Sequence, residues 1–468
     1  MNINTLLNKK SLPAFFLALL LITLPNFIGC DYNYKRIYEV TFLYFTFLFI
    51  FFCKVNISNK FDTNVKYTLI AALCLGIISG LTSENIKYAF IELITFFSLF
   101  IATLGISETW KNKDTVIASV FVLITSFLFL EIKFYAYYLA FLFSTNKFSI
   151  HEFFPSFANA RFFNQYQIWT LPFLTLIFTE NVFLKKTFKL ALLFIAISWW
   201  LLFFTTGSRG AILSVITAIC IVKHIFKKKS SDFIRITLYL SLTGFVLYQF
   251  LFHAIPYLIN QDSKLLLDSL EIRINSSDRL FLWEKAISFS IDNPVLGIGP
   301  MHFAWQDINN ITPSPHLNHP HNSFLQWAAE WGLISLSLIS YLTLYSLKKW
   351  FTRFNYKAVT NTDAPLAITL TFSVISALTY SLFSGVIVMP MSQLMGVFII
   401  SIMIGTYNNE LPIIKHTFSY LNFTLIPIAL LYFYLLSPQL IEILFNDEGS
   451  TTILTNHTPR FWLDGDIF

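Results

Sequence analysis

Apolar runs of roughly 16 to 25 residues recur along this chain from Leu12 to Leu436, and each is long enough to cross about 30 Å of hydrocarbon as a helix. That pattern makes the fold class an all-α polytopic membrane protein. Composition agrees: the 468 residues are 55% apolar and only 12% charged, about half the charged share of a soluble protein. Mean hydropathy is +0.62, and no large soluble domain fits. The 53 phenylalanines suit a lipid-facing surface and carry no functional argument. A net charge of +6 is spread over many loops, so membrane lipids are the natural surroundings and no basic run suits nucleic acid. Cys53, Cys74 and Cys220 fall within apolar runs and read as buried small residues. The four cysteines suggest neither a disulfide framework nor a zinc ribbon. Lys9-Lys10, an apolar stretch and Phe27-Ile28-Gly29-Cys30 outline a lipoprotein signal, with Phe27 where a branched residue is usual. An uncleaved first span is the better reading in a polytopic chain.

Candidate spans lie near 12–29, 40–55, 67–82, 88–106, 116–144, 164–182, 190–206, 210–226, 234–252, 321–347, 366–388, 391–406 and 419–437. This gives about 12 to 13 transmembrane crossings. The stretch 116–144 reads as a tilted span, or as a span followed by an interfacial helix around Lys133. The chain divides into N-terminal spans (1–159), central spans (160–252), one large outer loop containing short helices (253–320), C-terminal spans (321–437) and a short outer tail (438–468). With the N-terminus inside, 18 of 24 lysines fall on the inner side, as the positive-inside rule asks. Six of eight arginines fall outside: Arg36, Arg161, Arg209, Arg273, Arg279 and Arg460. The guanidinium is a planar fork that binds phosphate in bidentate fashion and stays charged. A phosphate-handling outer face is therefore expected, against the plainer alternative of arginines snorkelling to headgroups.

The outer motifs come in order. Thr206-Gly207-Ser208-Arg209-Gly210 makes a very short turn, where Arg209 beside a helix N-terminus is either an anion site or an interfacial anchor. Ser277-Asp278-Arg279-x-x-x-Trp283-Glu284 opens an amphipathic stretch that Asp292-Asn293-Pro294 ends. A short surface helix is expected there, with Arg279 and Trp283 one turn apart. Trp283 suits a lipid-interface aromatic, and a salt bridge from Arg279 to Asp278 or Glu284 is the bland alternative. Gly297-x-Gly299-x-x-x-Phe303 follows; without a preceding strand it is no dinucleotide fingerprint.

His319-Pro320-His321-Asn322 closes the loop. An interfacial histidine titrates near neutrality and can take a proton from a hydroxyl. A satisfied structural histidine is one competing reading, and a metal site from His302, His316, His319 and His321 is another. Metal is disfavoured, because the spacings fit no standard helical ligand pair and no acid lies between His316 and Asn322. Glu92, Glu131 and Glu330 sit within spans, where charge is costly. Glu330 reads as structural, bonded to a neighbouring span; Glu92 and Glu131 have no assigned role.

The Ser208-Arg209-Gly210 turn, the Arg279-x-x-x-Trp283 pair, the Gly297-x-Gly299-x-x-x-Phe303 lead-in and His321-Asn322 with Gly332 nine residues beyond form an ordered set. Together they resemble the O-antigen ligase and polymerase superfamily over roughly residues 160–400. Ser335 stands where a second small residue, often glycine, is common. The resemblance implies a glycosyltransferase of the bacterial inner membrane with its active site on the periplasmic side. A glycan would pass from an undecaprenyl pyrophosphate carrier to an acceptor hydroxyl, with inversion and with no metal or other cofactor. Arg209 and Arg279 would hold the pyrophosphate and His321 would activate the acceptor. Asn322, Trp283, Gly297 and Gly299 would support them, and Arg161 is a weaker carrier contact. The resemblance leaves the acceptor open between lipid A–core (a ligase), a growing glycan (a polymerase) and a pilin hydroxyl (a protein transferase). Of these the ligase is favoured, and the short tail counts against the protein-glycosylating branch. A non-enzymatic glycolipid transporter would need inverted repeats and midplane broken helices, which the sequence does not display.

Overall fold

The computed structural model describes residues 12–27, 32–53, 55, 63–143, 150–157, 160–180, 186–258, 277–309, 319–408 and 427–437; Cys30, Arg273, His316, Arg460 and the tail 438–468 lie outside them. Helices follow the apolar runs: α1 Leu12–Phe27, α2 Tyr32–Phe52, α3 Thr63–Thr82, α4 Ile86–Ser107, α5 Lys113–Phe143, α6 Ala160–Thr179, α7 Lys186–Thr205, α8 Arg209–Phe226 and α9 Ser231–Gln249. The long loop contributes α10 Ser277–Asp292 and α11 His302–Asn309, and the chain goes on as α12 Ser323–Arg353, α13 Ala364–Tyr380, α14 Pro390–Tyr407 and α15 Pro427–Ser437. No strand occurs among the described residues, as a lipid solvent requires of any segment that cannot close a barrel.

Among the described residues six helical stretches are long and apolar enough to cross a bilayer: Thr63–Thr82, Ile86–Lys111, Lys113–Phe143, Lys186–Thr205, Arg209–Leu258 and Pro390–Tyr407. Arg209–Leu258 contains two of the expected spans, because Lys227 turns at φ 48° between α8 and α9. α5 runs unbroken for 31 residues, so no separate interfacial helix forms. Lys133 lies along it and donates to the Asn26 carbonyl.

α13 packs between α6 and α8, α7 against α9, α1 against α5, and α4 against α14. In the interior Phe127 stacks on Trp199 at 4.2 Å, and Gln167 Nε2 donates to the Trp199 carbonyl at 2.7 Å. A buried amide without such a partner would cost several kcal/mol on the order of the water-to-hydrocarbon transfer penalty. Cys53, Cys74 and Cys220 are exposed, contrary to the buried reading. A bundle surface that meets lipid accepts small apolar groups as readily as its core does.

The loop helices dock on α12 through an apolar cluster of Leu282, Ala286, Phe303 and Ala329. α12 itself breaks at Gly332 (φ 80°, ψ 163°). The break frees carbonyls that a straight helix would use internally. Ala329 O accepts from Ile298 N at 2.9 Å and Glu330 O from Gly299 N at 3.0 Å, while Leu333 N donates to Pro294 O at 2.8 Å. A Cβ on Gly332 would stand 2.2 Å from Val295 O, and one on Gly297 2.4 Å from the Glu330 carbonyl carbon. The Gly297-x-Gly299 lead-in and the His-Asn-x9-Gly pattern are thus the two halves of one interlock, and both halves need glycine at positive φ.

Candidate active site

Five elements end together at one face of the bundle. α6 begins at Ala160, α8 at Arg209 and α12 at Ser323, α10 lies across them, and α13 ends at Tyr380. Asn322 caps α12: its Oδ1 accepts from Phe324 N at 3.0 Å and Leu325 N at 3.1 Å, satisfying two of the amides a helix start leaves open. Just before the cap, His321 adopts φ 54°, a left-handed conformation that costs a non-glycine residue energy and has to be held from outside. Two contacts hold it. His321 N donates to His319 Nδ1 at 2.9 Å, and Trp283 Nε1 donates to the Pro320 carbonyl at 2.9 Å. Trp283 therefore grips the histidine turn.

The electrostatics follow from what gathers around that turn. Burial, then Arg279, then Arg161 push the His321 imidazole down to about 3 from an ordinary 6.5. Burial first, then the neighbouring Arg161, lower Arg279 as well, with Tyr380 acting in the opposite sense. Tyr380 is buried and interacts with both arginines; its hydroxyl lies 3.3 Å from Ser208 Oγ. The surroundings of His321 thus favour the neutral imidazole, with two guanidinium groups close enough to feel and a buried phenol that feels the same two arginines.

The sequence-derived residues do not all take the places expected of them. Arg279 and Arg161 are both partly buried beside His321, so Arg161 stands closer to the histidine's field than Arg209 does. Arg209 is exposed at the rim, joined to the cluster through Ser208. Its turn is tight against the turn that follows α13, where a Cβ on Gly210 would meet Phe383 Cβ at 2.8 Å. No Arg279–Glu284 ion pair occurs among the described residues. Glu330 is fully buried: its side chain ties the loop, Oε1 accepting from Phe303 N at 2.9 Å and Oε2 from Gln326 Nε2 at 3.1 Å, and its carbonyl accepts from Ser79 Oγ of α3 at 3.3 Å. His302 has both ring nitrogens engaged, Nδ1 with Pro300 O at 2.8 Å and Nε2 with Asn85 N at 2.9 Å, which makes it a neutral structural bridge. Among the described residues no three His, Cys, Asp or Glu side chains are grouped to hold a metal ion.

Sequence reasoning missed the turn after α13. Ser381 O accepts from Ser323 N at 2.8 Å, Ser384 Oγ from Gln165 Nε2 at 2.7 Å, and Val388 O from Arg36 Nη2 at 3.0 Å. Residues 381–388 thus join α2, α6 and α12 directly beneath the cluster. Their partners lie far away along the chain, so no spacing rule points to them. Arg36, expected among the phosphate-handling arginines, is buried with Glu39 and Gln393 and holds this turn instead.

No curated protein matches the chain. Residues 191–340 match the family model of the O-antigen ligase, a stretch that takes in Arg209, the α10 helix, the glycine interlock and His321, and that supports placing the chain in an O-antigen ligase-like superfamily.

Proposed function

We propose that the chain transfers a glycan from undecaprenyl pyrophosphate to an acceptor hydroxyl at the periplasmic face of a bacterial inner membrane, and that the acceptor is lipid A–core, as for an O-antigen ligase. An O-antigen ligase or polymerase type of glycosyltransferase is what the family match supports. The observation that carries the finer reading is a neutral His321 held in a left-handed turn beside Arg279 and Arg161. The acceptor oxygen attacks the anomeric carbon from the side opposite the carrier, and its proton passes to the imidazole. The bond to the pyrophosphate oxygen breaks with its electron pair, so the leaving group gains charge. Arg279 and Arg161 meet that charge in a site already organised around them, with Arg209 at the entrance. A single displacement of this kind inverts the anomeric centre, and arginine performs the charge compensation that a divalent ion performs elsewhere. Activity of purified protein with lipid-linked donor should accordingly survive EDTA.

In free enzyme an imidazole near 3 is a weak base. A bound pyrophosphate cancels the arginine field and raises it, so donor binding switches the base on. Lipopolysaccharide from a deletion strain tests the acceptor. Loss of all O-chains with polymer left on the carrier supports the ligase; a cap of one repeat would make the protein a polymerase. Sidedness is tested by cysteine at Glu284, which should react with an impermeant thiol reagent, against cysteine at Lys357, which should not, both in a background free of native cysteines.

A further inference from the structure

A second cavity opens at the same end of the bundle, away from the histidine. It is a cleft of about 480 Å³ between Thr82–Glu84 at the end of α3 and Asn293–Ile298 after α10, a volume typical of small-ligand sites (about 300–1,000 Å³). Its floor is the rigid glycine interlock, which Ser79 also pins through Leu296 O at 2.6 Å. The main-chain amides of Val295 and Leu296 have no partner among the described residues. Thr82, Glu84 and Asn293 are exposed, and Glu84 Oε2 accepts from Trp305 Nε1 at 2.9 Å. Trp305 in turn lies 5.7 Å from Tyr88, so a carboxylate stands at the edge of an aromatic pair. Among the described residues no lysine or arginine lines the cleft.

We propose that this cleft binds oligosaccharide, as a glycan subsite remote from the reacting bond. The proposal rests on the glycosyl-transfer reading above. The chemistry selects a neutral polyhydroxylated ligand: hydroxyl and amide side chains line the cleft together with a carboxylate, and the absence of cations among the described lining residues disfavours phosphate. The geometry selects a chain and not a single sugar. α10 runs from Arg279 to the rim of the cleft, about 20 Å at 1.5 Å per residue, so a glycan leaving the arginine end reaches the cleft only after several units. One helix would then measure the glycan, with the leaving group at its start and the distal sugars at its end.

The test uses the full chain in lipid nanodiscs. Free oligosaccharide released by mild acid from the host's own surface polysaccharide is titrated by saturation-transfer NMR, against wild type, Asn293→Trp to fill the cleft and Glu84→Gln to remove its charge. The expected result is contact in wild type, lost in Asn293→Trp. In the transfer assay Asn293→Trp should raise KM for a long-glycan carrier about tenfold, the scale of one or two lost hydrogen bonds, with kcat unchanged and a single-sugar carrier unaffected. If only acceptor length changes the effect, the cleft takes the acceptor glycan instead of the donor's. Equal effects on long and short substrates, or unaltered oligosaccharide contact in both variants, would overturn the subsite. Should Asn293→Trp fail to insert, Glu84→Gln alone decides by the same readouts. If wild type transfers no glycan from any carrier yet binds oligosaccharide in the cleft, the transfer reading fails and the subsite survives.

Discussion

The two ends of the bundle treat their cations in opposite ways. At the end rich in lysine, several of the charges near the helix termini have something to rest on: Lys111 pairs with Glu108 at 3.1 Å and Lys113 with Glu180 at 2.9 Å. Lys229 donates to the Val359 carbonyl, Lys227 lies over the Tyr356 ring and Arg353 over Tyr407. At the other end Arg161 and Arg279 are held near one another, with an uncharged histidine and a buried tyrosine as company. Like charges brought together in a half-buried site raise the free energy of the empty protein. A fold keeps such an arrangement when an anion relieves it. On the glycosyl-transfer reading proposed above, the lysines at one end serve topology and the arginines at the other serve a ligand.

The sharpest way to break this comparison is at His321. His321→Ala should lower glycan transfer by about 10²–10⁴-fold, the usual size of a lost general base, while binding of the lipid-linked donor stays near wild type. Near wild-type transfer in protein inserted to equal levels would reduce His321 to a strained turn residue. Next in size is Arg279→Lys. It keeps the charge but not the bidentate fork, so transfer should fall by about 10²–10³-fold, comparable to removing one preorganised donor to a developing anion. Arg209→Ala, at the exposed rim, should do less and should weaken donor binding and turnover together. A larger loss at Arg209 than at Arg161→Ala would reverse the order in which the geometry ranks the arginines.

Much of this was legible in the sequence, because the bilayer leaves few options. Apolar length gave the helices, the lysine and arginine split gave the two ends, and Asn322 sits where a cap is needed. The harder parts depend on contacts across the chain. Trp283 looked like a lipid anchor because indoles favour interfaces; only the fold shows the Pro320 carbonyl above it. Glu330 was correctly read as structural, yet its partner is the Phe303 amide in the loop, which no helical periodicity encodes. Tyr380 and the 381–388 turn carried no signal at all, since serine, glycine and tyrosine near a span end are ordinary there. Arg161 reads in sequence as the weaker contact; that Arg279 and His321 feel its charge depends on residues more than a hundred positions away, which no local spacing encodes.

A smaller effect, in pH, sharpens what the arginine end does. His321 is faced by Arg279, Arg161 and Tyr380 across the site and by His319 within its own turn. In the empty enzyme burial first, then the two arginines, hold the imidazole down at about 3; bound pyrophosphate relieves the arginine part, so its pKa rises, while burial still holds it below the ordinary value. Since kcat/KM reports free enzyme and kcat the loaded complex, the acid limb of kcat should lie at higher pH than that of kcat/KM for donor. Coincident limbs would show that the arginines do not couple to the base. Stability follows the same depression. Between about 6.5 and 3 the unfolded chain binds a proton that the native site refuses, so empty protein should lose stability as pH falls through that window, and His321→Asn should lose less.

The smallest expected effect belongs to the lysine end, and its smallness is the point. Lys111 and Glu108 are both partly solvent-exposed, 26% and 33% by side chain, and pairs of this kind contribute no more than about 1 kcal/mol, often nothing measurable. Lys111→Ala should leave glycan transfer unchanged and move thermal stability by at most about that amount. Arg279→Ala should do the reverse in part: without its guanidinium the empty site loses a repulsion with Arg161, so stability should hold or rise while transfer collapses. The pair of variants measured side by side, by thermal unfolding and by transfer from lipid-linked donor, separates a charge kept for stability from a charge kept for a ligand. If Arg279→Ala destabilises the protein more than Lys111→Ala does, the arginine is holding α10 in place, and the contrast between the two ends disappears.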